Sequence, residues 1–307
     1  MEKNLGSRSV IQQIEDRYKK MSKGHKAIAR YITGNQQDVA GRTAAAIGIA
    51  VGVSESTVVR FAAELGFSGF PEFMQQLRDE MKSSMTASQR IKASAKISQS
   101  QDILGDVLLH DVDQLRRAYE RRDPQAFDEA VKALMEAKRI FVVGVRSSAP
   151  LASFLHFYLS LMLDDVRIVA TASGSEMIEQ IMSIQKGDVY VVISNPRYST
   201  RAIRTTAFAK EAGATTLAIT DSPESPLTRY ADLKLYAQSD MVSFVDGLIA
   251  PFSTITALLA AISLRRESIL TTRLDRLETI WKEYTVYDKG YGEKPAPFPF
   301  TDESDKK

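Results

Sequence analysis

The run over residues 42–67, RTAAAIGIAVGVSESTVVRFAAELGF, constrains the fold of this chain more than any other stretch. Gly52-Val53-Ser54 predicts a tight turn between two short helices, because glycine tolerates a left-handed helix end and serine caps the helix that follows. Thr43 is placed to cap the first of these helices, whose small residues permit close approach to its neighbour, and Gly66 to end the second. Val58, Phe61, Ala62 and Leu65 recur at the i, i+3, i+4, i+7 spacing of a buried stripe. Glu55, Ser56, Thr57 and Arg60 are left on the open side. This is the layout of a helix-turn-helix, whose second helix enters the major groove of DNA. The expected DNA contacts are Arg42, Thr43 and Ser54 at the helix starts, with Glu55, Ser56, Thr57 and Arg60 along the reading helix.

Further helices surround this pair. Residues 10–21 place Val10, Ile14 and Tyr18 inward, and Ser22 caps a helix running through Ile28, Ala29 and Ile32 to Gly34. With a last helix over 70–81, a bundle of about five helices closes near residue 85, defining a DNA-binding unit over 1–85. That unit holds twelve Lys/Arg against nine Asp/Glu, a net of +3 in a chain whose total is +2. The excess permits phosphate contact without demanding it.

Residues 86–137 read as an exposed linker followed by connecting helices, with Asp123-Pro124 marking a new helix start. The pattern then changes. Apolar runs at 140–145, 166–170, 189–193, 216–220 and 233–236 alternate with helical stretches at 149–163, 176–185 and 201–212. Continuous apolar strands separated by helices predict a five-stranded parallel sheet, flavodoxin-like, with helices on both faces, over 138–268. Residues 241–264 read as one apolar helix. Asp246 and Pro251 interrupt it, so it belongs to a globular core or a subunit interface, not a membrane. Residues 269–307 are expected to form a C-terminal helix and a Pro/Gly-rich tail that is disordered or draped over a surface.

In an open parallel sheet, ligands sit beyond the strand carboxyl ends where the strand order reverses. For the order 2-1-3-4-5 that point lies between the first and third strands. The loop after the first carries Gly144, Arg146, Ser147 and Ser148; the loop after the third carries Ser194, Asn195, Arg197, Tyr198, Ser199 and Thr200. Both open helices. Hydroxyls, backbone N–H groups and a helix N-terminus together make an anion cradle, to which the arginines add fixed charge. A sugar-derived anion suits it.

Helix-turn-helix followed by such a sheet resembles the RpiR/MurR-type bacterial regulators, which join a DNA-binding domain to a sugar-isomerase (SIS) domain. The likeness rests on GVSESTVVRF over 52–61 and LGFSGFPEF over 65–73, then GDVYVVIS over 187–194, AKEAGA over 209–214, ITD over 219–221, SPL over 225–227 and Ala231-Asp232. It implies a sugar phosphate or related metabolite as effector, and dimers or tetramers. SIS phosphate loops of this family usually read Ser-x-Ser-Gly-x-Thr. Here Ser194 and Ser199 match the first Ser and the Thr, while Pro196 and Arg197 replace the second Ser and the Gly. The loop loses a hydroxyl and gains a cation, opening the site to a carboxylate or an unphosphorylated polyol.

A sugar-phosphate isomerase is the alternative reading, and it needs an acid/base pair. His25 and His110 precede the sheet, His156 falls in mid-helix, and Glu176 and Glu179 sit where they complement a helix dipole. No catalytic residue, metal ligand or cofactor is therefore expected. A chain without cysteine forms no disulfide or thiolate metal site, and its apolar-poor start predicts no signal peptide. The expected partners are operator DNA, a small sugar-derived effector and a second copy, in the cytoplasm.

Overall fold

The computed structural model describes residues 9–39, 41–84, 86–93, 101–170 and 173–284. The N-terminal part contains α1 (Val10–Tyr18), α2 (Lys23–Gly34), the single turn α3 (Gln36–Val39), α4 (Ala44–Val51), α5 (Glu55–Leu65) and α6 (Phe70–Ser84). Their inner faces share one core, with Val10, Ile14, Ile28, Ile32, Ile47, Phe61 and Phe73 all at most 1% exposed. Helix α1 stops at Tyr18, short of the expected Met21, because Ser22 caps α2 by accepting from the His25 N–H and the chain must turn first.

Helix α7 (Ala87–Ala93) follows, then α8 (Ile103–Glu120) and α9 (Pro124–Glu136). Asp123 caps α9, accepting from the Ala126 N–H at 3.0 Å with Pro124 in the first turn. Residues 86–93 were expected to be exposed linker. Instead Arg90 is buried there and pairs with Asp246 at 2.9 Å, 156 residues away.

The sheet contains β1 (Ile140–Gly144), β2 (Val166–Val169), β3 (Val189–Ile193), β4 (Thr215–Thr220) and β5 (Leu233–Tyr236), all parallel, in the order 2-1-3-4-5. Crossover helices are α10 (Ala149–Met162), α11 (Gly174–Ile181) and α12 (Thr200–Glu211). Side chains alternate between the two faces. Val142, Val191 and Ile193 point toward α9, α10 and α13 (Ile249–Arg265), whereas Phe141, Val143, Tyr190 and Val192 point toward α11 and α12. Both faces are covered, which is why the strands read as unbroken apolar runs. The chain described ends with α14 (Glu267–Glu283); the expected tail from 287 lies outside the described residues.

One expected element is corrected. Residues 241–264 are not one helix: Met241–Val242 (β6) and Val245–Asp246 (β7) form a small antiparallel hairpin, and α13 begins only at Ile249. Pro251 is the reason, since proline is accommodated in a first helical turn and not deeper. Gly247 closes the hairpin by donating its N–H to Asp240 O at 2.7 Å; a Cβ there would lie 2.1 Å from that oxygen. Among the described residues, no single helix is long and apolar enough to cross a membrane.

Candidate functional site

Between α4 and α5 the helix axis turns through 107°, within the range of helix-turn-helix pairs. Gly52 carries the turn at φ 72°. Gly48 makes it tight, because a Cβ there would lie 2.8 Å from Val53 O. Thr43 and Ser54 cap their helices as expected, accepting from the Ala46 N–H at 3.2 Å and the Thr57 N–H at 3.3 Å. Gly66 ends α5 at φ 101°. Val58, Phe61, Ala62 and Leu65 face the core, and Arg42, Thr43, Ser54, Glu55, Ser56 and Arg60 are exposed.

Thr57 is half-buried. Its hydroxyl meets Ser54 Oγ at 2.8 Å, and its methyl is turned toward Gly24 on α2. Val59, 40% exposed beside Arg60, was not singled out from the sequence, because a lone valine in a helix carries no signal.

The second constellation lies at the sheet's carboxyl edge. Gly144 pairs with Ile193 in register, so the loops after β1 and β3 emerge side by side. Gly144 is required by packing, since a Cβ would lie 2.4 Å from Ser148 O. Arg146 stands at φ 58°, a left-handed conformation that a side chain adopts at a cost of about 1 kcal/mol or more, and opens a 3₁₀ turn, Arg146–Ser148. Arg146 and Ser147 are exposed, while Ser148 is buried. In the neighbouring loop Ser194 and Asn195 are buried, Tyr198 and Ser199 half-buried, and Arg197 and Thr200 exposed.

Two details set these loops apart from ordinary helix starts. Ser9, Ser22, Thr43, Ser54, Asp102 and Asp123 all spend their side-chain oxygens on capping bonds. Ser148 and Ser199, at the starts of α10 and α12, make none. The second detail is Asn195, whose side-chain Nδ2 is buried without a partner. Buried donors of that kind ordinarily have one.

Behind the β3 loop, Tyr198 donates its O–H to Asp221 Oδ1 at 2.8 Å, and Thr220 Oγ1 donates to Ser194 O at 2.8 Å. Burial pushes the Asp221 carboxyl above its ordinary range, opposed in part by the hydrogen bond from Tyr198. Ionising Asp221 therefore costs the fold. Its contribution to stability is greatest at acidic pH, declines as pH rises from the ordinary carboxylate range through the raised value, and is then level. Asp221→Asn keeps an acceptor for Tyr198 and removes the charge. It should raise the Tm at neutral pH and flatten the Tm profile between about pH 4 and 8. Superimposable wild-type and variant profiles would refute this.

A cavity of about 770 Å³ opens beyond the carboxyl ends of β3, β4 and β5, walled on its far side by Glu72, Gln75, Gln76 and Glu80 of α6. Of the residues expected in the two loops, only Tyr198 lines it, beside Pro196 and Asp221. The open volume thus lies further along the sheet than the β1/β3 junction. Among the described residues, no three His, Asp or Glu side chains cluster as metal ligands.

A family model described as the helix-turn-helix domain of the rpiR family matches residues 8–84, and one described as SIS domain matches 133–264. An uncharacterized HTH-type transcriptional regulator of Haemophilus influenzae is 31% identical over 243 residues, 75% of this chain and 80% of that one. The chain belongs to the RpiR family of helix-turn-helix regulators. HexR of Pseudomonas aeruginosa, another HTH-type transcriptional regulator, is 27% identical over 281 residues, 88% of this chain and 95% of HexR. The sugar isomerase domain of an RpiR transcription factor from Sphaerobacter thermophilus superposes with a TM-score of 0.56 at 27% identity, covering 58% of this chain and 99% of that domain. The Vibrio vulnificus NanR protein complexed with ManNAc-6P gives 0.56 at 17% identity over 90% of this chain and 98% of NanR, a likeness of fold. This RpiR-family protein is a DNA-binding transcriptional regulator carrying an SIS domain, not an enzyme.

Proposed function

We propose that the SIS domain senses a sugar phosphate, sugar acid or polyol-derived metabolite and that its occupancy alters how tightly α5 holds operator DNA. The observation that carries this reading is the pair of adjoining loops whose serines make no capping bond, with the partnerless Asn195 amide between β3 and α12. A phosphorylated or carboxylated ligand meets those hydroxyls, the N-termini of α10 and α12, and the side chains of Arg146 and Arg197. ManNAc-6P in the NanR complex makes a phosphosugar the first ligand to try. Helix α6 supports the coupling, because it packs on α5 and also walls the cavity next to the β3 and β4 loops. A ligand that prefers one spacing across that cavity biases the other domain.

On the DNA side, Ser56 and Arg60 read base edges, Val59 offers an apolar edge of the kind that meets thymine methyls, and Arg42, Thr43 and Ser54 lie at helix starts facing phosphates. Thr57, committed to Ser54, positions the helix start more than it reads sequence. Such a chain works in the cytoplasm and, as a dimer, reads two half-sites. Arg60→Ala should weaken specific binding by about 1–3 kcal/mol, roughly 5- to 150-fold, at fixed salt. Gel shifts on operator DNA selected from a random pool measure it, and unchanged affinity would remove Arg60 from the interface.

Effector sensing is tested by thermal-shift screening of phosphosugars, sugar acids and inositols, followed by titration of each hit against the protein–DNA complex. A ligand at 100 times its Kd should stabilise the protein by about 2.7 kcal/mol. If hits from these classes bind and leave operator affinity unmoved, the coupling is wrong.

A further inference from the structure

Helix α8 is amphipathic the wrong way round for a helix lying on its own domain. Its inward side carries His110, Gln114 and Arg117, which hold the 240–247 segment: the Asp240 N–H donates to Gln114 Oε1 at 3.4 Å, and Arg117 pairs with Asp240 at 2.8 Å. Side-chain nitrogens of all three are buried without partners, so that side is polar and under-satisfied. The outward side carries the oil. Leu104 is 70% exposed, Leu108 56%, Val112 53%, Leu115 37% and Tyr119 65%. At 3.6 residues per turn these five fall within about 80° of the helix circumference, one continuous apolar stripe. Exposed stripes of this extent mark interaction surfaces.

We infer that this stripe packs antiparallel against the same stripe of a second copy, making α8 the spine of a homodimer. The spacing itself argues for that occupant. Read in either direction, Leu104, Leu108, Val112, Leu115 and Tyr119 give nearly the same intervals, so a two-fold axis beside Val112 sets Leu104 against the partner's Tyr119 and Leu108 against the partner's Leu115. A self-complementary patch is the requirement of an isologous interface. Charge agrees: Asp102 and Asp106 lie at the start of α8, and Arg116 and Arg122 at its end. An antiparallel pair places acidic ends against basic ends and opposes the helix dipoles, whereas a parallel pair sets like against like. Helix α13, named from the sequence as an interface candidate, is largely consumed by its own core: Ala250, Ile255, Leu258 and Ile262 are fully buried. The inference gives a surface to the dimer proposed for reading two half-sites.

The chain contains no cysteine, which makes the test direct. Val112→Cys sits nearest the axis and should cross-link to a covalent dimer under mild oxidation. Leu104→Cys alone should not, and the double variant Leu104→Cys/Tyr119→Cys should. Cross-linking by Leu104→Cys alone would mean a parallel pair and overturn the arrangement. Light scattering should give the wild type twice the mass of the chain at about 20 µM, and Leu108→Asp, at an exposed position, should give a monomer with unchanged far-UV circular dichroism. A wild type that is monomeric there would overturn the inference and leave the stripe to segment 285–307 of the same chain. So would a Leu108→Asp dimer. None of these measurements involves effector or DNA, so their failure is separable from failure of the sensing model.

Discussion

Ser148→Ala should leave operator affinity unchanged and abolish its response to effector. The two halves of this outcome have different physical grounds. Ser148 is 3% exposed at the start of α10, and its hydroxyl makes no capping bond. Removing a serine that does cap costs about 1 kcal/mol of helix stability. Without that bond to lose, the variant should stay within about 0.5 kcal/mol of wild type, the usual range for a change that breaks no named interaction. Residue 148 is also far along the chain from α5 and belongs to a different hydrophobic core, so affinity for DNA without effector should not move. The effector response is the quantity at risk. Coupling between two sites is typically 1–3 kcal/mol, which is roughly 5- to 150-fold in operator Kd. Fluorescence anisotropy on labelled operator, with and without saturating wild-type effector, reads that ratio. The variant should read a ratio of one, and Ser199→Ala should behave likewise. Full responses in both variants would move the ligand out of the paired loops and into the cavity bounded by Asp221 and α6.

The sequence made some of this structure legible because the physics was local. Gly52, Ser54 and Gly66 act within a turn of their own positions, so the helix-turn-helix could be placed residue by residue. The strand order 2-1-3-4-5 followed from unbroken apolar runs, which arise when helices cover both faces. What stayed hidden acts at a distance. Arg90 reads as a linker arginine until Asp246 is found beside it, and the 241–246 hairpin reads as helix until Gly247, Asp240 and Gln114 are seen to meet. Burial of Asp221 has no periodic signature. For the effector loops the difficulty is chemical: a serine before a helix looks like a cap, and only the geometry shows that Ser148 and Ser199 do not serve as one. Helix α8 was read correctly as amphipathic, yet sequence cannot say which face the rest of the chain takes.

Asp188→Ala should have the largest effect on stability and no direct effect on either binding site. Asp188 is fully buried at the amino edge of the sheet, opposite the effector loops, immediately before β3. Arg139, immediately before β1, grips it through Nε at 3.1 Å and Nη2 at 2.6 Å, and the Gln185 N–H donates to the same carboxylate at 2.9 Å. One side chain thus ties the starts of the two central strands. Truncating it leaves the Arg139 guanidinium, 18% exposed, without its carboxylate and the Gln185 N–H without an acceptor. Breaking a buried pair from one side costs about 3–5 kcal/mol; partial access of Arg139 to water puts the expected loss near 3 kcal/mol. At roughly 2–4 °C per kcal/mol for a chain of this size, the SIS-domain transition should fall by about 6–12 °C. Calorimetry measures it. Below that transition the variant should still bind effector and DNA with wild-type affinities, because no atom of the Arg139–Asp188 pair reaches either site. This is the opposite of the Ser148→Ala outcome, in which stability survives and signalling is lost. A near-wild-type transition in Asp188→Ala would mean that water replaces the carboxylate at negligible cost, and that β1 and β3 are held by their ladder and apolar faces alone.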